Sequence, residues 1–537
     1  MPRTGALQVV ESLIASGVKH LFTLSGNQIL PIYDAAIGRD IQLIHTRHEA
    51  AAVHMADGWG RLTEEPGVAL LTAGPGHCNA PTALYVARMA ESPLLMLSGH
   101  CPVAQIGRGA FQEIDQVAVV EPVCKAAWLV EDPMRLRADL ALALSIARSG
   151  RPGPVHLSLP VDVLELSLPD DASSASPEGK PDSGPNDVPA SEILDLLSSA
   201  RRPLVLTGPA MGRPRGWAAA KRLSAATGIP TLWMESPRGV DDPALRTAAN
   251  FLGQADVVLL AGKRLDFSLR YGQPPHFPEG CQFVQIDADE EELRVDKGVA
   301  LAVHADPILA LCELAKVAKH RSWSHTDWRA QVADSCSTVP PEWQGLRESD
   351  ATPVHPLRVC EALQPFLDEG AILVSDGGEF GQWCQAGVEA EVRLINGPSG
   401  AIGSALPMGL SAKLAHPDRT VFVVLGDGTF GYHAMELDTA LRYDLPVVVI
   451  VGNDARWNAE HQLQVRNYGP DRIIGCDLLA SRYDRIAEAL GGHGEHVQRP
   501  DQLSGALQRA VDSRLPACVN IETDSPAAPT FRSNTPS

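Results

Sequence analysis

Two oxygen-bearing side chains, Asp427 and Asn453, stand about two dozen residues apart in the stretch VFVVLGDGTFGYHAMELDTALRYDLPVVVIVGND, residues 421–454. A carboxylate and an amide oxygen are hard ligands. They suit Mg2+, which keeps near-octahedral geometry and takes one or two protein side chains plus phosphate oxygens. Gly426 and Gly428, on either side of Asp427, let the backbone come close to a phosphate. The chemistry indicated is metal-assisted binding of a phosphorylated cofactor. A Gly-Asp-Gly turn is common by itself, so its distance from Asn453 carries the reading.

The elements that must position this pair are legible around it. Val421 to Leu425 is an apolar run that reads as a buried parallel strand. A helical segment follows, with Ala434, Leu437 and Leu441 on one face. Pro446 breaks it, and the β-branched run Val447 to Val451 reads as the next strand. Strand, helix, strand puts Asp427 and Asn453 at neighbouring strand C-termini, the edge of an open parallel sheet where ligands bind.

Gly-Asp-Gly, two dozen residues, then Asn resembles the thiamine diphosphate (ThDP) signature of the superfamily that includes acetolactate synthase, pyruvate oxidase and benzaldehyde lyase. By that resemblance Asp427, Asn453 and the backbone carbonyl of Ala455 hold Mg2+ on the cofactor diphosphate. Gly426, Gly428 and Thr429 line the same group. The family usually has Asn-Asn at the second strand end, and here the first of the two is Gly452.

Three further motifs extend the resemblance. RHEAAAVHMADGWGRLTEEPGVALLTAGPG, residues 47–76, is similar to the segment with the activating glutamate, which falls on Glu49. A Glu in the first turn of a helix is favourable with the macrodipole and needs no function. The resemblance adds one: a carboxyl hydrogen-bonded to the pyrimidine N1′ favours the imino tautomer that removes the C2 proton. GAFQEIDQ, residues 109–116, resembles the pocket loop above the thiazolium, with Phe111 and Gln112. Gln28 falls where benzaldehyde lyase has a substrate-facing His. Gly400-Ala401-Ile402-Gly403 resembles the loop that bends the cofactor. Ile402 is its apolar wedge, and the carbonyl of Gly400 holds the 4′-amino group. The loop Gly378-Glu379-Phe380, after a strand at Ala371 to Ser375, is implied to touch the diphosphate.

Composition bounds the rest. The chain has 537 residues, enough for three domains, with 45% hydrophobic content. The net charge of −20 and the lack of any basic run argue against nucleic acid and acidic membrane surfaces. Ten cysteines are scattered without a CxxC pair, which suits a reducing cytoplasm. The N-terminus has no signal-peptide core, and no apolar run reaches the length of a membrane span.

The expected fold is three consecutive α/β domains with parallel sheets flanked by helices. Residues 1–165 form the first, with a helix at Ala6 to Ser16, strands at His20 to Leu24, Ile41 to His45, Val68 to Thr72 and Leu94 to Ser98, and a helix at Ala50 to Leu62. A Ser-, Pro- and Gly-rich linker spans 166–190. The central domain, 191–319, has strands at Pro203 to Thr207, Val257 to Ala261 and Gln282 to Ile286. Its GPAMGRPRG is not a dinucleotide fingerprint, so FAD or ADP is weakly supported. The stretch Gly262 to Asp266 with Asp287 resembles oxalyl-CoA decarboxylase and 2-hydroxyacyl-CoA lyase. A second linker, 320–354, leads to the third domain, 355–537. In the family the first domain binds the pyrimidine and the third the diphosphate, on different subunits. A homodimer or homotetramer with sites at subunit interfaces is therefore implied.

The run Asn453 to Trp457 and the run Tyr468 to Arg472 resemble benzaldehyde lyase. The expected activity is a carbon–carbon lyase or carboligase acting through an enamine on 2-hydroxy ketones, aldehydes or 2-keto acids. A CoA-thioester lyase or decarboxylase is the first alternative. A non-enzymatic paralogue is the second.

Overall fold

The structure is a computed structural model that describes residues 4–168, 187–294 and 298–531. Most of the first expected linker, 169–186, lies outside the described residues. Three parallel sheets follow one another along the chain.

The first sheet holds β1 (His20–Thr23), β2 (Gln42–His45), β3 (Gly67–Leu71), β4 (Leu94–His100), β5 (Ala126–Leu129) and β6 (Pro154–Pro160), in the order β2-β1-β3-β4-β6-β5. The second holds β7 (Pro203–Thr207), β8 (Thr231–Trp233), β9 (Val257–Ala261), β10 (Gln282–Asp287) and β11 (Val299–His304), in the order β11-β10-β9-β7-β8. The third holds β12 (Ile372–Ser375), β13 (Val392–Ile395), β14 (Val421–Gly426), β15 (Val448–Asn453), β16 (His493–Val497) and β17 (Ala517–Glu522), in the order β13-β12-β14-β15-β17-β16. The first and third sheets thus repeat one strand order.

Helices cover both faces, so central strands are largely apolar and buried. β3, β7 and β9 are buried at every residue, as parallel sheets require. The second expected linker contains two helices, Thr326–Ser337 and Pro341–Arg347. Trp328, Val332 and Trp343 bury their side chains there. All ten cysteines are free thiols. Among the described residues no helix is long and apolar enough to cross a membrane.

The first and third domains share one core. The Glu49–Thr63 helix packs on the Ala405–Ala415 helix, and apolar residues of both domains form a single buried cluster. The approach is closest at Gly58, where a Cβ would lie 2.4 Å from Ser411 Oγ and 3.1 Å from Met408 Cα. Across the same seam Arg61 holds Asp57 with two bonds, at 2.8 and 2.6 Å, and donates to the Ile395 carbonyl at 2.6 Å.

Candidate active site

In the third domain Gly426 of β14 pairs with Gly452 of β15. That register puts Asp427 and Asn453 side by side, one residue beyond the pair. Asp427 opens a short helix, Asp427–His433, and is 1% exposed. Its Oδ1 accepts the Gly428 N–H at 2.9 Å, while Oδ2 is buried with no hydrogen-bond partner among the described residues. Burial pushes its pKa up to about 6, against the backbone N–H groups around it. Burial and the Asp427 charge push neighbouring Asp454 up to about 7.

Asn453 is fixed from behind. Its Nδ2 donates to the Ser481 carbonyl at 2.8 Å and to Asn520 Oδ1 at 3.0 Å. Its Oδ1 accepts the Ala455 N–H at 3.3 Å. Ala455 is held at φ +54, a region a non-glycine residue seldom adopts. Its carbonyl accepts the Leu478 N–H at 2.7 Å and keeps a second lone pair. A buried carboxylate oxygen without a partner, beside oriented amide and carbonyl oxygens, fits a hard divalent cation.

The glycines around this turn make room for rings. A Cβ at Gly428 would lie 2.7 Å from the Trp457 ring, and one at Gly452 2.3 Å from the Phe380 ring. Phe380 fills the place where a larger residue at 452 would sit, which explains the glycine there. Its side chain is therefore in the core, 8% exposed. Gly378 has φ +86 and begins the Gly378–Gly387 helix. Glu379 takes Arg238 Nη2 at 3.1 Å and the N–H of Ala528 in the C-terminal tail. Thr429 is buried in the first turn after Asp427. Of the run ending at Arg472, Trp457 joins the site, whereas Asp471 and Arg472 are exposed.

The Gly400–Gly403 loop lies against the same edge. Gly400 has φ +71, and Ile402 touches the loop after β12, since a Cβ at Gly377 would be 3.0 Å from Ile402 Cγ2. Asp376, which the sequence reading passed over, holds the two loops together. It is fully buried and accepts N–H groups from Gly377 at 2.8 Å, Gly403 at 3.1 Å and Ala405 at 2.9 Å. The signal was available: Asp376 precedes glycine at a strand C-terminus, as Asp427 does. His433 Nδ1 lies 2.7 Å from the Gly403 carbonyl.

The first domain gathers a second set. Glu49 begins its helix, is 9% exposed, and its Oε2 accepts Asn79 Nδ2 at 2.8 Å. Gly76 lies against it, a Cβ there being 3.2 Å from Oε1. Gln28 Oε1 accepts the Thr72 hydroxyl at 2.7 Å, and Thr72 also packs on Gly76. Gln112 sits at φ +58 with its backbone over Gly74, next in the same turn. Glu49, Gln28 and Gln112 thus surround one loop, residues 72–76. Among the described residues no hydrogen bond joins this set to Asp427.

In the central domain the polar groups singled out from sequence are held by other protein side chains. Arg151 from the first domain pairs with both Glu91 and Asp287. Arg264 pairs with Glu292 at 2.6 Å, and Lys263 reaches Ser268 at 2.5 Å.

Three family models match the chain: "Thiamine pyrophosphate enzyme, N-terminal TPP binding domain" at residues 3–119, the central domain at 190–314, and the C-terminal TPP binding domain at 376–521. The chain belongs to the thiamine pyrophosphate enzyme family. A probable acetolactate synthase of Mycobacterium bovis is 35% identical over 538 residues, covering 98% of this chain and 97% of the relative. A 2-hydroxyacyl-CoA lyase 2 of Bos taurus is 32% identical over 585 residues, covering 97% and 90%. A ThDP-dependent 4-hydroxybenzoylformate decarboxylase of Rhodococcus jostii shares the fold, with TM-score 0.82 at 22% identity over 97% and 99% of the two chains. This ThDP-dependent enzyme therefore has its Glu49 set on the N-terminal TPP binding domain and its Asp427 set on the C-terminal one.

Proposed function

We propose that the chain is a ThDP- and Mg2+-dependent carbon–carbon lyase and carboligase acting on 2-hydroxy ketones, aldehydes or 2-keto acids, with neutral acyloins and aldehydes favoured. The observation that carries the preference is the cleft beside Gln28. It encloses about 170 Å3, its walls include Asn27, Gln28, Gln105 and Phe111, and neither Arg nor Lys lines it. Amides hydrogen-bond a hydroxyl or carbonyl without the bidentate grip a carboxylate favours.

The remaining roles are those the family resemblance implies, and the geometry is compatible with them. Bound ThDP supplies an electron sink, which lets a bond at the attacked carbonyl carbon break. Asp427, Asn453 and the Ala455 carbonyl would hold Mg2+ on its diphosphate, with Gly426, Gly428, Thr429 and Gly378 letting that group approach. The Gly400 carbonyl and Ile402 would set the cofactor's bent shape. Glu49 would share a proton with the pyrimidine N1′, oriented by Asn79. Each chain carries both sets, with Phe111 (70%) and Tyr432 (56%) exposed beside them. A second copy completes that arrangement, so we assign sites to the interfaces of a homodimer or homotetramer.

A second reading has its own observation. Arg238, Arg270 and Arg466 rim a cavity of about 560 Å3 closed on one side by Glu379 and by Ala527, Ala528 and Thr530 of the tail. Guanidinium groups suit phosphates, and a CoA thioester is a substrate of that class.

The test is a parallel assay of benzoin, acetoin, pyruvate and a 2-hydroxyacyl-CoA at equal concentrations with ThDP and Mg2+. Cleavage of an acyloin at least as fast as pyruvate is consumed supports the first reading. Acetolactate from pyruvate without acyloin cleavage makes the enzyme an acetolactate synthase. Turnover of the thioester alone establishes the second reading.

A further inference from the structure

A cavity lies where all three domains meet, and none of the residues assigned to the cofactor lines it. It encloses about 790 Å3, within the range of small-molecule sites. Arg213 and Trp233 reach it from the second domain, and Arg393 of β13 from the third. Gly397 and Pro398 on its wall lead directly into the loop that carries Ile402.

Its polar groups are mostly donors, and several lack an acceptor of matching charge. Arg213 Nη2 donates only to main-chain oxygens, Ala90 at 2.9 Å and Glu91 at 2.7 Å. Burial pushes its pKa down to about 10, with the Glu91, Asp57 and Glu64 carboxylates opposing. Arg246 likewise donates to the carbonyls of Cys336, Ser337 and Ala386, and its one carboxylate, Glu389, is 3.5 Å away with a side chain 76% exposed. The Trp233 Nε1–H is buried and nothing accepts it among the described residues. Glu235 is 8% exposed, its Oε1 3.2 Å from Arg393 but without a hydrogen-bond partner. Burial pushes its pKa up to about 7, so near neutrality it too can donate.

Buried donors need acceptors. Glu235, Glu389 and Glu391 line the wall, and the first two pair with Arg393 and Arg246, but Arg213 has no carboxylate in an ion pair with it among the described residues, which leaves a place for an anion. The walls also offer flat apolar surface: the Trp233 ring under Arg393, at 5.1 Å, and Trp217 under Lys221, at 5.3 Å. We propose that this three-domain cavity binds a small organic anion, a carboxylate or phosphate ester attached to a flat apolar body. Arg213 and Trp233 Nε1 take the anionic oxygens, and the tryptophan rings take the body.

Isothermal titration calorimetry of the full chain loaded with ThDP and Mg2+ tests this with two probes, benzoate and phenyl phosphate. Saturable binding of at least one probe is expected, and the tighter of the two identifies the anionic group. Arg213→Gln should weaken it about tenfold or more. Trp233→Phe keeps the packing but removes the N–H, and should weaken it severalfold. The idea is overturned if neither probe saturates at millimolar concentration. It is equally overturned if the wild-type affinity survives Trp233→Phe and Arg213→Gln, because binding then lies elsewhere, the active site included. Should Arg213→Gln fail to fold, the Trp233→Phe affinity decides alone.

Discussion

The two carboxylate oxygens of Glu436 accept the backbone N–H of Arg47, at 3.0 and 3.2 Å. Glu436 belongs to the C-terminal TPP binding domain and opens the helix that follows the Asp427 turn. Arg47 lies two residues before Glu49. One chain therefore fastens its two cofactor-facing sets together, although each would serve a different interfacial site. Burial pushes Glu436 up to about 6, and Thr439 Oγ1 holds its second oxygen at 2.6 Å.

Removing that carboxylate should displace Glu49 without touching the metal side. In Glu436→Ala the Arg47 N–H loses its acceptor, a cost of about 1–3 kcal/mol when buried. A shift of about 1 Å at a catalytic group can cost about a hundredfold in rate. We expect turnover to fall ten- to a hundredfold (order of magnitude) while ThDP affinity changes little. Fluorescence titration alongside steady-state rates separates the two. Equal losses in both would make Glu436 a general fold residue.

Asp427→Ala removes the buried oxygen that lacks a partner. ThDP affinity should fall by on the order of ten- to a hundredfold, by analogy with losses when a metal shell is disturbed. Chelation of the wild type should do the same and Mg2+ should restore it. Unchanged cofactor affinity in the variant would remove Asp427 from the metal site.

Glu49→Gln should fold, because the amide can still accept Asn79 and a first-turn Glu is worth only about 0.3–1 kcal/mol to its helix. It should bind ThDP yet exchange the C2 proton far more slowly. Hydrogen–deuterium exchange followed by NMR reads this directly. A wild-type exchange rate would leave Glu49 a structural residue.

His77 and His156 meet edge to face, ring centroids 4.9 Å apart, inside the first domain, sharing Ser98 Oγ at 2.9 and 3.2 Å. Burial pushes His77 down to about 4. An unfolded His takes its proton near pH 6.5, so the unfolded chain binds protons first as pH falls. The contribution is full above about pH 6.5 and lost toward pH 4, on the order of 3 kcal/mol. Denaturant unfolding at several pH values should show wild type losing stability relative to His77→Asn over that window. Parallel curves would mean that His77 titrates alike in the folded and unfolded states.

What was legible in the sequence follows burial. β7 and β9 are apolar at every inward position and match their expected bounds residue for residue. β5, β8, β13 and β16 lie at sheet edges, are short, and mix exposures; β16 reads His-Gly-Glu-His-Val. Apart from β5, Ala-Ala-Trp-Leu, no apolar run marks such strands. β6 and β17 are central but carry His156 and Asn520 inward, which interrupts their pattern. The single helix expected after Asp427 is two, Asp427–His433 and Glu436–Arg442, broken at Ala434 and Met435. Asp427 and Asn453 were legible because strand register alone brings them together. Glu436 on Arg47 was not, because that contact joins residues almost four hundred apart.

Asp376 gives the last expectation. Its carboxylate binds the loop after β12 through Gly377 and the end of the Gly400–Gly403 loop through Gly403 and Ala405. Burial pushes its pKa up to about 6, with those N–H groups opposing, so it is largely ionised at pH 7. Hydrogen bonds to a charged acceptor are worth about 1.5–3 kcal/mol each. Asp376→Asn keeps the shape but replaces one acceptor oxygen with an NH2, which faces an N–H from Gly403 or Ala405. That repulsion should free the loop that carries Gly400 and Ile402. ThDP should then bind about tenfold or more weakly, since each 1.4 kcal/mol is tenfold. The circular dichroism band of bound ThDP should shrink at saturation, because a loosened Ile402 no longer enforces one cofactor shape. Full affinity with an unchanged band would show that His433 on the Gly403 carbonyl suffices to hold the loop.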